Sequence, residues 1–136
     1  MIRLSHLSFI HQPLYAAARQ TKKRKYKVEA KRLLKKIEKW AKGGNANVQY
    51  YFLFLTAEQL ALDKKYDMAQ QKYEQAIEAA TIARHLHHMG LINERYADFL
   101  ETRSAKDLSQ ERLMQAIQCY KRWGSTRKVA ELESRL

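Results

Sequence analysis

The chain has 136 residues, with 26 Lys and Arg against 14 Asp and Glu, and therefore a formal charge of +12. That length suits one domain, and one Pro and four Gly are too few turn residues for an all-β fold, so the composition favours an all-α fold. A single Cys excludes an intramolecular disulfide, and no apolar run reaches the roughly 20 residues of a membrane span. We therefore expect a cytoplasmic protein.

The first 28 residues contain no Asp or Glu. Their helical spacing predicts a first helix, kinked or restarted at Pro13, with one apolar side formed by Leu4, Leu7, Ile10, Leu14 and Ala18. An acid-free, basic start is also typical of an organelle transit peptide, although the passage into the next helix offers no evident cleavage site. A targeting segment and a basic first helix both stay open.

The positive charge is concentrated between Arg19 and Lys42, where twelve Lys or Arg accompany two acids and give +10. Apolar spacing there predicts a helix that ends at Gly43-Gly44-Asn45 and buries Tyr26, Ala30, Leu33, Leu34, Ile37, Trp40 and Ala41. The opposite side could bind nucleic acid, anionic lipid or an acidic protein. Our candidate anion-binding residues are Lys22, Lys23, Arg24, Lys25, Lys35, Lys36 and Lys39.

The next helix, from Ala46 to Leu62, is apolar around most of its circumference and includes YYFLFL at 50–55, so we expect it to pack on two sides. After the turn at 63–65, a helix places Tyr66, Ala69, Tyr73, Ala76, Ile77 and Ala80 on one face. Further helices are predicted at about 88–102, 106–123 and 126–135. Short connections imply antiparallel neighbours among about six or seven helices.

An internal repeat joins two of these helices at a spacing of 40 residues. Ala69, Tyr73, Ala76 and Ile77 in the first correspond to Ser109, Leu113, Ala116 and Ile117 in the second. Small residues at these points allow close helix approach, and the large residue fills the groove between helices. The pattern predicts two helical hairpins, at 46–83 and 88–123.

The hairpin pattern also fits a known family. Lys65-Tyr66, Ala69, Tyr73 and Ala76 have the spacing of a tetratricopeptide hairpin. With KYEQAIEAA, HHMGLINERYADF and AIQCYKRWGSTRKVAELE, the chain from about residue 46 resembles the tetratricopeptide-like helical region of large multi-sensor histidine and serine/threonine kinases, which follows their ATPase-like module. His88, Gly90, Ile92 and Ser104 depart from that pattern, so the sequence predicts a less tight turn at 86–105.

The resemblance implies a non-catalytic protein-interaction or interdomain scaffold linked to signalling, and no kinase motif or phosphate-binding Gly-rich loop is present. Residues 1–45 would be a basic extension, and 46–136 two tetratricopeptide-like hairpins with a capping helix. Solenoid geometry places a protein or peptide partner on the first helix of each pair, with candidates Tyr51, Gln59, Asn93 and Tyr96. An electrostatic adaptor for nucleic acid or anionic membrane, using the basic helix at 19–42, is the alternative. A homodimer through YYFLFL also stays open.

Other reactive side chains have simpler interpretations, so we expect no enzyme activity, cofactor or metal. His85, His87 and His88 share no helical face and are predicted to lie in a solvated turn. Cys119 is predicted to be an inert thiol, and Glu94 and Asp98 to form surface ion pairs. At the C-terminal end, a buried face with Tyr120 and Trp123, a left-handed cap at Gly124 and a short helix with Val129 and Leu132 would close the stack.

Overall fold

The structure is a computed structural model that describes residues 17–44 and 46–136. Within these residues all regular secondary structure is helical, which confirms the all-α prediction. Residues 17–21 are helical, and the predicted positions Leu4, Leu7, Ile10 and Leu14 lie outside the described residues. The longer helices are α1 (Arg24–Lys42), α2 (Ala46–Leu62), α3 (Tyr66–Ala83), α4 (Leu86–Thr102), α5 (Lys106–Trp123) and α6 (Thr126–Glu133).

The chain divides into two compact units, one ending at Ala76 and the other running from Ile77 to Leu136. In the first unit α1 packs against α2, and its buried residues are Ala30, Ile37 and Ala41. Trp40, predicted to be buried, is 38 % exposed. The reason is its position, because it lies about 100° around the helix from Ala41.

Helix α2 forms the centre of the first unit. Its buried apolar side chains spread over about 180° of the helix surface and are Val48, Tyr50, Tyr51, Phe54, Leu55 and Ala57. On the α3 side, the Phe54 and Tyr73 ring centroids are 6.4 Å apart. Four of the six YYFLFL side chains are therefore buried within the chain, while Phe52 and Leu53 are half-buried.

In the second unit α4 and α5 run antiparallel. Ser109, near the start of α5, donates from its hydroxyl to the Ala97 carbonyl (2.8 Å). Near the end of α5, the Tyr120 ring lies next to Gly90, and its hydroxyl donates to Glu94 (2.9 Å). Helix α6 adds Leu132, which is fully buried, to a core that also contains Ala97, Leu113, Ala116, Ile117 and Tyr120, with Val129 against it. The predicted closing helix therefore seals the core of this unit.

The same left-handed backbone conformation recurs where the helices end. Five residues with positive φ recur every 20 positions: Gly44, Lys64, Arg84, Ser104 and Gly124. Directly after three of them, the amides of Lys65, Ala105 and Ser125 donate to the carbonyls five residues earlier, at 2.9–3.0 Å. This left-handed closure satisfies carbonyls that the end of a helix leaves unpaired.

Three of these junctions were singled out by sequence, and Gly44, at the predicted end of α1, has a φ of 83°. Gly124 takes the predicted left-handed cap conformation, with φ of 96°. Ser104 also adopts it, with φ of 62°, so the turn between α4 and α5 closes tightly without a glycine. Because each helix from α2 to α5 has 17 or 18 residues, a hairpin recurs after 40 residues, six more than the 34 or so of a tetratricopeptide repeat.

The close approach of α4 to α5 depends on Gly90. A Cβ atom at this position would lie 2.9 Å from Cε1 of Tyr120, too near for ordinary packing. Tyr120 itself is buried and hydrogen-bonded to Glu94, so its ring has little freedom to move. The departure at Gly90 thus makes room for an aromatic ring.

Trp123 differs from its predicted burial. Its side chain is 52 % exposed, whereas Tyr120 is buried as predicted. Trp123 is the last residue of α5, beyond the part of the helix that faces the core, and its ring stacks on His87 with centroids 4.4 Å apart. The i, i+3 spacing places Tyr120 and Trp123 on the same side of α5, as predicted. Trp123 lies outside the core because the helix ends there.

The left-handed residues predict opposite effects for two substitutions. Ser104→Gly should raise the free energy of unfolding by about 1 kcal/mol, because glycine removes the Cβ strain of positive φ. Gly124→Ala should lower it by about 1–2 kcal/mol for the converse reason. Urea denaturation followed by circular dichroism measures both. Equal effects of the same sign would contradict the proposed strain.

Gly90→Ala should destabilise the second unit by roughly 1–3 kcal/mol, because the new methyl group overlaps the Tyr120 ring. The control is the same change in a Tyr120→Ala background, where alanine's better helix propensity should make it neutral or stabilising by up to about 1 kcal/mol. A double-mutant cycle by urea denaturation gives the coupling between the two positions. A coupling near zero would show that the contact does not matter.

Candidate functional site

The exposed side of α1 is the most strongly charged surface that the structure describes. Of the twelve basic residues between Arg19 and Lys42, ten are exposed, and Arg19 and Lys27 are half-buried. All seven predicted anion-binding residues are among the ten. Lys22 and Lys23 precede the helix, and Lys22 has a φ of 57°.

The exposed bases of α1 form two rows, which together we call the basic face. The first row is Arg24, Lys31, Lys35 and Lys42, and the second is Lys25, Arg32, Lys36 and Lys39. At 100° per residue the rows lie about 90° apart around the helix, and each extends over most of its length of about 28 Å. Sequence reasoning left Lys31 and Arg32 out of the candidates, although their spacing of seven from Arg24 and Lys25 marks the same rows.

Few acids neutralise this face. Among the described residues, the ion pairs of the 19–42 segment are Lys42 with Glu38 (3.1 Å) and Arg19 with Glu58 (3.3 Å). Glu29 and Glu38 lie outside the two rows, one on each side. The rows are therefore bordered by acids but contain none, so seven of their eight charges remain available to an anion.

The four predicted protein-binding residues do not form an exposed surface. Tyr51, Gln59, Asn93 and Tyr96 are all buried, with at most 6 % of each residue exposed. Gln59 donates to Asp63 at 3.3 Å, and the Asn93 amide donates to the Met89 carbonyl at 2.9 Å. Solenoid geometry placed them on an open concave side, but long helices packed closely leave these positions inside.

Glu58 is a buried polar residue that the sequence analysis did not identify. Its Oε2 accepts a hydrogen bond from the Tyr73 hydroxyl at 2.9 Å and lies 3.3 Å from Nη1 of Arg19. Only 1 % of Glu58 is exposed, so these partners compensate a carboxylate removed from water. Its partners are 15 and 39 residues away in sequence, and no local pattern signals such a cluster.

The predicted acidic pair on α4 forms ion pairs, as expected. Glu94 accepts from Lys128 at 2.9 Å as well as from Tyr120, and Asp98 pairs with Arg95 (2.8 Å) and with Arg135. Lys128 lies in α6 and Arg135 follows it, so these bonds attach the C-terminal segment to α4. Burial, followed by Glu94, raises the pKa of Tyr120 far above the usual range.

The histidine cluster corrects another prediction. His85 and His87 are exposed, but His88 is buried in the first turn of α4 and not solvated. The His87 ring stacks between His88, at 5.3 Å, and Trp123, at 4.4 Å. Burial, then the neighbouring His87 and His85, lowers the pKa of His88 to about 4, so it is neutral near pH 7.

The remaining candidates offer no chemical centre in the part of the chain described. Cys119 is buried, and burial raises the pKa of its thiol more than Arg122 lowers it. A group of three or more metal-ligating side chains is not found among residues 17–44 and 46–136. No helix in the described portion is long and apolar enough to cross a membrane.

The chain was compared with protein-family models, curated proteins and solved structures, and none of the three comparisons finds a match. The resemblance to the kinase-linked helical region therefore rests on the quoted motifs alone. The geometry of the basic face is the observation from which a function can be argued.

His88 predicts a stability that depends on pH. Its pKa is about 4 in the folded chain and 6.5 when unfolded, so the unfolded chain binds more protons between these values. Stability is fully present above pH 6.5 and is lost as the pH falls toward 4, by roughly 3 kcal/mol from this group.

Urea denaturation at pH 7, 5.5 and 4.5 measures this loss. The matched variant is His88→Gln, which keeps a polar side chain but does not titrate, so its stability should fall less over the same range. Parallel pH profiles for the two proteins would assign the acid sensitivity to other groups.

Proposed function

We propose that the chain is a non-catalytic binding module in which a helical scaffold presents α1 to an anionic partner. The observation that carries this proposal is the basic face, where two rows of exposed bases contain no acid. Charges of one sign grouped on a surface produce a positive potential that attracts and orients an anion. An evenly charged solvated helix would instead have acids interspersed.

The packing of α1 supports the same proposal. Ala30, Ile37 and Ala41 are buried, which fixes the helix with its basic face directed outward. A folded helix holds its charges in place before binding, so less conformational entropy is lost than for a disordered basic tail. The helix thus offers a preorganised cationic surface.

The scaffold part of the proposal rests on different observations. The repeated left-handed junctions and the buried small and large residues of the 40-residue repeat, such as Ala69 with Tyr73, support regular hairpins. The tetratricopeptide-like architecture and a role between domains of a signalling kinase are proposals from the motif resemblance. A peptide partner would have to use residues other than Tyr51, Gln59, Asn93 and Tyr96, since these are buried.

Heparin retention across a NaCl series tests the proposed anionic partner. The wild-type protein should be retained and elute steeply with salt, because each neutralised anion releases counterions. The variant Lys35→Glu/Lys36→Glu/Lys39→Glu should elute at roughly half the NaCl concentration, since it reverses three bases of the basic face.

The matched control is Lys106→Glu/Arg122→Glu/Arg127→Glu, which changes the net charge equally at exposed positions of the second unit. It should stay close to wild type. Circular dichroism would verify that both variants are folded. Equal losses in the two variants would attribute retention to net charge, and the proposed site would be wrong.

A further inference from the structure

The two rows of the basic face fit a concave anionic surface better than a flat one. The rows lie about 90° apart around α1. A flat surface that faces one row directly therefore cannot face the other row as well. A groove with anionic walls meets both. A helix with its side chains is about 10–12 Å across, close to the width of about 12 Å of the major groove of B-form DNA.

The residue types on the face point to phosphates and not to base edges. The rows contain six Lys and two Arg, and no Asn, Gln, Ser or Thr stands between them. A lysine ammonium binds phosphate as a point charge and carries little sequence information. The face therefore has the chemistry of contact with a nucleic acid backbone, without readout of sequence.

The same helix is poorly suited to an anionic membrane. A helix that lies in a bilayer interface inserts its apolar side among the acyl chains. Here that side is occupied, because Ala30, Ile37 and Ala41 are buried within the chain. The large apolar side chains of α1 that remain exposed are Val28 and Trp40, and they lie about 120° apart around the helix. They do not form a continuous stripe for insertion.

We infer that α1 binds double-stranded B-form DNA without sequence preference, lying along the major groove with one row of bases toward each phosphate backbone. This inference rests on the proposed function, because it names the anionic partner of the same face.

Fluorescence anisotropy with a labelled duplex of about 20 base pairs tests the inference on the full chain. If about six of the eight bases of the basic face each contact a phosphate, the affinity should fall about 10³-fold between roughly 50 and 200 mM NaCl. Two duplexes of unrelated sequence should bind with equal affinity, because phosphates are the same in both. A strong preference for one of them would overturn the absence of sequence readout.

Row variants test the groove geometry. Lys31→Gln/Lys35→Gln removes two charges from the first row, and Arg32→Gln/Lys36→Gln removes two from the second. Each should reduce the fall in affinity over the same salt range to roughly 10²-fold, because two phosphate contacts are lost. The control Arg122→Gln/Arg127→Gln, with the same charge change in the second unit, should behave as wild type. An effect confined to one row would indicate a flat partner and overturn the inference.

Competing partners give distinguishable results. Retention on heparin without binding to the DNA duplex would overturn this inference and leave the proposed function standing. Tighter binding to an RNA duplex, or to vesicles of equal parts phosphatidylserine and phosphatidylcholine, would also overturn it, in favour of that partner. Absence of heparin retention by the folded protein would overturn both.

Discussion

The packing of α1 on α2 decides which side of the basic segment reaches solvent. Ala30 and Ala41 are small and Ile37 is the larger residue between them, and all three are buried. Because small residues allow close approach of two helices, this short stripe is enough to fix the rotation of α1 about its axis. Once that rotation is fixed, the bases at seven- and eleven-residue spacings must point outward together. The candidate site is therefore a consequence of core packing.

A second constraint acts at the helix ends. The helices from α1 to α6 are joined by connections of two or three residues, and a left-handed residue recurs at each junction from Gly44 to Gly124. Three of the five residues, Lys64, Arg84 and Ser104, are not glycine and accept the strain that positive φ imposes. The hydrogen bonds that close the junctions, such as Ala105 to Leu100, compensate for it. The backbone thus repeats more regularly than the side chains.

Polar residues inside the units follow a common rule. Glu58 and Glu94 each accept a hydrogen bond from a tyrosine hydroxyl and pair with a cation, Arg19 and Lys128 respectively. A carboxylate between helices is costly unless such partners are present, and removal of one partner would leave a charge unsatisfied. These clusters therefore fix helix positions more than they supply chemistry.

The sequence by itself determined the helices and the location of the charge. Bounds such as 46–62 and 106–123 agree with the structure because apolar periodicity and breakers such as Gly124 are local signals. It also indicated the basic side of α1, since an amphipathic pattern needs no knowledge of the neighbour. The sequence also showed the 40-residue repeat of side chains. The recurrence of left-handed residues every 20 positions became visible only in the backbone, because Lys and Arg at these positions give no turn signal.

Only the tertiary structure decided which apolar and polar side chains are enclosed. Tyr51 and Tyr96 were expected on an open surface and are buried, while Trp123 was expected inside and stacks on His87 outside the core. His88 is neutral because neighbouring residues exclude water from it. Each of these outcomes depends on groups far away in sequence, or on where one helix ends relative to another. Local periodicity specifies a helix face, but the partner that covers this face is set by packing.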